Sequence, residues 1–163
     1  MELYLIRHGI AAERGTYTND AERPLTDKGR QKTKKVAQRL YDIGLRFDLI
    51  LTSPLLRASQ TAEILQNSGL TEQVEISFYL APGGNIQDWL HWLSQWRDSD
   101  PGKYLALVGH QPNLGNWAEL LVWGKVTGQI LVKKAGVIGI TLPKTGTPIG
   151  NSELFILTSP KYC

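Results

Sequence analysis

The sequence has one cysteine, Cys163, and it is the last residue. A single thiol cannot close an internal disulfide, so a disulfide-stapled fold is excluded and a reducing, cytoplasmic setting is expected. A mechanism built on a cysteine nucleophile ahead of a phosphate-binding loop is excluded too. Histidine is scarce: His8, His91 and His110 are all there are. With one terminal cysteine they supply no zinc spacing, so no metal site is expected. No window holds eighteen consecutive apolar residues, which leaves no transmembrane helix and no expected membrane partner. The first residues lack the charged start, long apolar run and small-residue cleavage site of a secretory signal. Gly15, Gly83-Gly84 and Gly124 fit neither a dinucleotide fingerprint nor a Walker loop, and no cofactor is expected. Repeats, low-complexity tracts and long linkers are absent, so residues 1–163 are expected to form one domain.

What is present is an ordinary globular composition. Of 163 residues, 42% are hydrophobic and 20% charged, enough to bury a core without staples. The net charge of +3 is uneven. Residues 1–60 carry eleven Lys and Arg against seven Asp and Glu, and the remainder seven against eight. A basic first part can attract phosphate esters or acidic proteins. With no recognised nucleic-acid module behind that modest excess, nucleic-acid binding is not expected.

Strand-like segments at 2–7, 47–52, 74–78, 103–108, 136–142 and 153–158 alternate with helical ones. The run at 103–108 is continuous and apolar, bounded by Pro101-Gly102 and Gly109. Asp98-Ser99-Asp100 ahead of it reads as a loop and turn. Thr26 is the expected N-cap of a helix over 27–43, whose stripe is Thr33, Val36, Ala37, Leu40 and Ile43. Ser53 as N-cap with Pro54 at the first helical position predicts a second helix running to about 67. Helices over 86–97 and 113–123 carry Trp and Leu at helical spacing, which is a core stripe. His91 falls off that stripe and reads as a surface residue. The order β-α-β-α-β-α-β-α-β-β implies a three-layer α/β/α sandwich with a mostly parallel central sheet. In such sheets ligands bind beyond the carboxyl ends of the strands.

Those ends hold the chemistry. Arg7-His8-Gly9 follows the first strand, Thr52-Ser53-Pro54 the second, with Arg57 close behind, and Gly109-His110-Gln111-Pro112 the fourth. Two guanidiniums can clamp a tetrahedral dianion with paired charge-assisted hydrogen bonds. An imidazole beside them is biased toward its neutral form by like charge and can act as a nucleophile. The helix start read at Ser53-Pro54 would add a positive dipole end.

Leu5-Ile6-Arg7-His8-Gly9 resembles the Arg-His-Gly signature of the histidine phosphatase superfamily, which includes the phosphoglycerate mutases. Residues 51–62, with Arg57, resemble its second arginine segment, and Val108-Gly109-His110-Gln111-Pro112 its second histidine segment. Pro24-Leu25-Thr26-Asp27-Lys28-Gly29 also fits. Short length and lack of inserts most resemble the small SixA-type phosphohistidine phosphatases. The resemblance implies a phosphoglycerate mutase-like fold and a metal-independent phosphatase. It implies that His8 is the nucleophile, that Arg7 and Arg57 hold the phosphoryl oxygens, and that His110 hydrogen-bonds to them. The implied partner is a phosphorylated protein of the histidine-containing phosphotransfer type, in signal transduction.

One departure bears on the substrate. Many members carry a carboxylate that protonates the leaving group, ahead of the third helix or directly after the second histidine. Residues 78–87 contain no Asp or Glu, and Gln111 follows His110. An alkoxide leaving group needs an acid, worth about 10²–10⁴ in rate. The weaker P–N bond of phosphohistidine needs less help, so the departure favours a phosphoramidate over a sugar phosphate. Asp20, Glu22 and Asp88 remain candidate donors. The alternatives are a non-catalytic module that binds phosphate or phosphoproteins, and a phosphatase for small phosphate esters. A basic face on the first helix (Lys28, Arg30, Lys32, Lys34, Lys35, Arg39) would steer an acidic partner or simply be solvated.

Overall fold

A computed structural model describes residues 1–98, 100 and 102–163. Six strands form one sheet: β1 (Glu2–Arg7), β2 (Leu49–Thr52), β3 (Val74–Ile76), β4 (Tyr104–Gly109), β5 (Val137–Thr141) and β6 (Glu153–Thr158). Their order is β3-β2-β4-β1-β5-β6. The first four run parallel, while β5 and β6 are antiparallel additions at one side. Four helices connect them: α1 (Asp27–Asp42), α2 (Leu56–Asn67), α3 (Ile86–Arg97) and α4 (Asn113–Trp123). Period-two alternation splits the core into two layers. Leu3, Leu5, Leu105 and Leu107 pack on one face with α3 and α4, through Trp89, Leu93, Trp117 and Leu121. Tyr4, Ile6, Ala106 and Val108 pack on the other with α1 and α2, through Val36, Leu40, Ala58 and Leu65. This is the three-layer α/β/α sandwich expected from the sequence. No helix among the described residues is long and apolar enough to cross a membrane.

Local signals account for most boundaries. Thr26 caps α1, its Oγ1 accepting from the Gly29 N–H at 3.0 Å. Gly44 takes φ +90° just past the helix end, a conformation that favours glycine. Ile43, placed on the α1 stripe by periodicity, is exposed instead, because the helix stops at Asp42. The cap at Ser53-Pro54 needs correction. The second helix starts at Leu56, and its N-cap Leu55 makes no side-chain cap bond. Ser53 Oγ accepts from the Leu55 N–H at 3.2 Å and is otherwise engaged by His110. The positive helix end thus sits two residues later than expected. His91 is exposed, as read. Ser99 and Pro101, in the turn read before β4, lie outside the described residues.

Candidate active site

Strand pairing brings distant residues together. β1 and β4 are adjacent and parallel, with Arg7 opposite Gly109. The His8 N–H donates to the Gly109 carbonyl at 3.1 Å, extending the ladder one residue past β1. His8 and His110 therefore leave neighbouring strand ends side by side, with ring centroids 5.2 Å apart. β2 flanks β4 on the other side, and the Ser53 N–H donates to the Val108 carbonyl at 2.9 Å. That brings Arg57 in α2 to the same corner. Arg7, His8, Arg57 and His110 all line one cavity of about 720 Å³.

The histidines have defined hydrogen bonds. His8 Nδ1 lies 2.7 Å from the Gly9 carbonyl oxygen. A carbonyl only accepts, so Nδ1 carries the proton and Nε2 keeps its lone pair. Gly9 is fixed in turn: its N–H donates to Thr61 Oγ1 at 3.0 Å, and Thr61 donates to the Arg57 carbonyl at 2.8 Å. His110 Nε2 lies 2.7 Å from Ser53 Oγ, whose hydroxyl can donate to it while its lone pair takes the Leu55 N–H. That assignment leaves the proton on His110 Nδ1. Five buried side-chain polar atoms among the described residues lack a partner, and three of them are Arg7 Nε, Arg57 Nε and His110 Nδ1. Unsatisfied buried donors are costly, and their concentration in one cavity marks a place built for an oxyanion.

Electrostatics point the same way. Burial, then the charges of His110, Arg57 and Arg7, lower the His8 pKa to about 3 against the pull of the Gly9 bond. Burial, then Arg57 and Arg7, lower His110 to about 4. Both imidazoles are neutral at physiological pH. Asp20 is the one candidate donor of the three that lines the cavity. It accepts from Arg23 Nε at 2.7 Å and Arg57 Nη2 at 3.1 Å. The Arg23 hydrogen bond first, then the Arg57 charge, hold its pKa below the ordinary carboxylate value. Asp20 is thus an ionised brace for Arg57. Glu22 and Asp88 do not line the cavity, whereas Glu13 does.

Sequence reasoning missed two groups. Arg23, buried beside the quoted Pro24–Gly29 stretch, donates to the Ala12 carbonyl at 2.6 Å and ties the loop after β1 to Asp20. Its position directly before that stretch was the available signal. The other is Glu119, the only charged residue in α4 and fully buried. Its carboxylate accepts from the N–H groups of Thr127, Gly128, Gln129 and Ile130 and from the Thr127 hydroxyl, at 2.6–3.2 Å. The pinned segment then supplies Ile130 O to Gln111 and Val132 O to Arg7 Nη1, each at 3.1 Å. Glycine at 115 permits this closeness, since a Cβ there would collide with the Ile130 carbonyl.

Burial pushes the Glu119 pKa up, but the bonds from Thr127, Gln129 and Gly128 outweigh it and hold it at about 2. A depressed carboxylate contributes stability that is complete above its ordinary value of 4.5 and is lost as pH falls through about 2. Melting temperatures between pH 5 and pH 2.5 are expected to fall for the native protein. For Glu119→Gln they start lower at pH 5 and fall less steeply. Parallel curves would contradict an ionised Glu119.

Comparison with known proteins gives four findings. The family model of the histidine phosphatase superfamily, branch 1, matches residues 3–78. An uncharacterized protein of Picosynechococcus sp. is 50% identical over 163 residues, 99% of this chain and 98% of its own. Among solved structures, the protein histidine phosphatase SixA complexed with tungstate superposes with a TM-score of 0.86. It is 25% identical, and 99% of each chain is covered. A more partial likeness is to the mitochondrial serine/threonine-protein phosphatase Pgam5 of Drosophila willistoni, 40% identical over 86 residues, 52% of this chain and 29% of that one.

Proposed function

This chain belongs to branch 1 of the histidine phosphatase superfamily, and on that premise we propose that it dephosphorylates phosphohistidine on a signalling protein, without a metal. The observation that carries the reading is the Nδ1–H bond of His8 to Gly9, which leaves a neutral Nε2 lone pair among three unpartnered N–H donors. His8 Nε2 attacks phosphorus, and the P–N bond to the substrate imidazole breaks. That imidazole leaves with the P–N electron pair and takes a proton from water. Arg7 and Arg57 clamp the phosphoryl oxygens, and His110 Nδ1–H donates to the charge that builds on them in the transition state. A second water then attacks phospho-His8, releasing inorganic phosphate and restoring the neutral imidazole.

Two features support a phosphoramidate on a protein. Asp20, the carboxylate in contact with Arg57, is held ionised and has no proton to give. Between β3 and α3 lie only nine residues with one short 3₁₀ turn, Phe78–Leu80, so this connection places no insert over the cavity. The bound tungstate of the similar SixA structure is itself a tetrahedral oxyanion. The test is brief exposure to labelled phosphohistidine protein followed by acid-free mapping of trapped label. Label on His8 is expected. Binding with no transfer would instead establish the non-catalytic phosphoprotein-binding module.

Asp20→Asn discriminates brace from acid. As a brace, Asp20 is expected to cost less than about tenfold, mostly in KM, with the pH–rate profile unchanged in shape. Loss of an alkaline limb together with a fall of about 10² or more in kcat would make Asp20 the proton donor.

A further inference from the structure

The cavity is larger and more cationic than one phosphoryl group requires. Its lining carries Arg7, Arg14, Arg23, Arg57 and Lys134 against only Glu13 and Asp20. Asp20 is already matched by Arg23 and Arg57. A phosphoryl dianion at Arg7 and Arg57 would still leave positive charge on the outer wall. That charge is on Arg14, in the loop after β1, and on Lys134, in the segment before β5. Both are exposed, and neither has a hydrogen bond or ion pair among the described residues. Arg14 is close enough that its charge acts on both Arg7 and Arg57. Gathering like charges without compensation is unfavourable in the free protein, and a second anion reverses the sign.

The geometry points to an outer anion subsite on Arg14 and Lys134, and we infer that the substrate bears an Asp or Glu carboxylate beside its phosphorylated side chain. This rests on the phosphatase reading for the inner site and specifies the sequence around the group it removes. Lys134 is well placed for such a role. It precedes Ala135, whose N–H donates to the Arg7 and His8 carbonyls at 3.0 and 3.1 Å, so its backbone moves with the catalytic strand end. Glu13 is the opposing charge at the mouth, and it limits the preference to a modest factor.

The test needs no turnover. Calorimetry would compare 3-phosphonopropanoate with propylphosphonate, which lacks the carboxylate. The native protein is expected to bind the former about five- to tenfold more tightly at low salt, an advantage that shrinks in about 0.5 M salt. In Arg14→Gln/Lys134→Gln the ratio is expected to fall to about one, and Lys134→Glu alone should push it further down. Equal affinities in the native protein, or a ratio that the double variant leaves intact, would overturn the subsite. Phosphohistidine peptides flanked by Glu or Gln should show the same ratio in kcat/KM. A tenfold carboxylate preference in calorimetry with no phosphoenzyme would keep the subsite and remove the phosphatase reading. Failure to bind either phosphonate would remove both.

Discussion

Replacing His8 with alanine is expected to lower turnover of phosphohistidine by at least about a thousandfold and to eliminate the phosphoenzyme. The substitution removes the one atom, Nε2, that forms the new bond to phosphorus, and no neighbouring group can replace it. His110 cannot substitute, because its Nε2 is taken by Ser53 and, with the Ser53 hydroxyl donating to that nitrogen, the ring proton sits on Nδ1. Arg7 and Arg57 remain cations and still gather the oxyanion. The variant should therefore bind tungstate or vanadate while failing to turn over. That separation is the decisive feature: anion binding kept and group transfer lost. His110→Asn should cost less, about 10²–10³ in kcat, since it removes a donor to the transition state and leaves the nucleophile. Rapid-quench kinetics on the three proteins would order them. Turnover surviving in His8→Ala would place the nucleophile elsewhere, and equal losses in both variants would mean the imidazoles act as one unit.

The quartet that these variants probe was legible because each member lies at or shortly after the carboxyl end of a strand, and the strands announce themselves by apolar runs. What sequence does not encode locally is which strands are neighbours. Arg7 and Gly109 pair because β4 inserts between β2 and β1, an order set by packing four helices on two faces. The Ser53-Pro54 signal failed for a related reason. Ser and Pro read as a helix start in isolation, but the Ser53 hydroxyl is engaged by His110, 57 residues away. The hydroxyl is shared between that tertiary contact and the nearby Leu55 N–H, and the helix begins at Leu56. Glu119 was illegible because a carboxylate between Ala118 and Leu120 gives no hint of its partners. Those partners are backbone N–H groups of residues 127–130, which carry no sequence identity. Arg23 stood in a quoted neighbourhood, yet nothing in spacing alone separates it from surface arginines nearby.

The same depressed imidazole pKa values make a second strong prediction, on stability. An ordinary histidine titrates near 6.5, whereas folding holds His8 at about 3 and His110 at about 4. As pH falls below 6.5, the unfolded chain takes up these two protons while the folded chain does not. Stability from these groups is thus flat above about pH 7 and falls from about 6.5 down to about 4 for His110 and about 3 for His8, with a limiting slope of about 1.4 kcal/mol per pH unit for each histidine. Discounted for solvent screening at the cavity mouth, the loss between pH 7 and pH 5 is on the order of 2–3 kcal/mol. For a chain of this size that lowers the melting temperature by roughly 5–10 °C. The Glu119 contribution begins only below pH 4.5, so of these three groups the histidines alone act between pH 6.5 and 4.5. His8→Asn and His110→Asn should each remove about half of the upper slope, and the double variant nearly all of it. Tungstate should also blunt it, because a bound dianion favours the protonated rings. If the double variant melted with the native pH dependence, the folded imidazoles would be titrating like free ones. His8 would then be half protonated near pH 6.5, its Nε2 lone pair occupied, and the attack on phosphorus would lose the neutral nucleophile it requires.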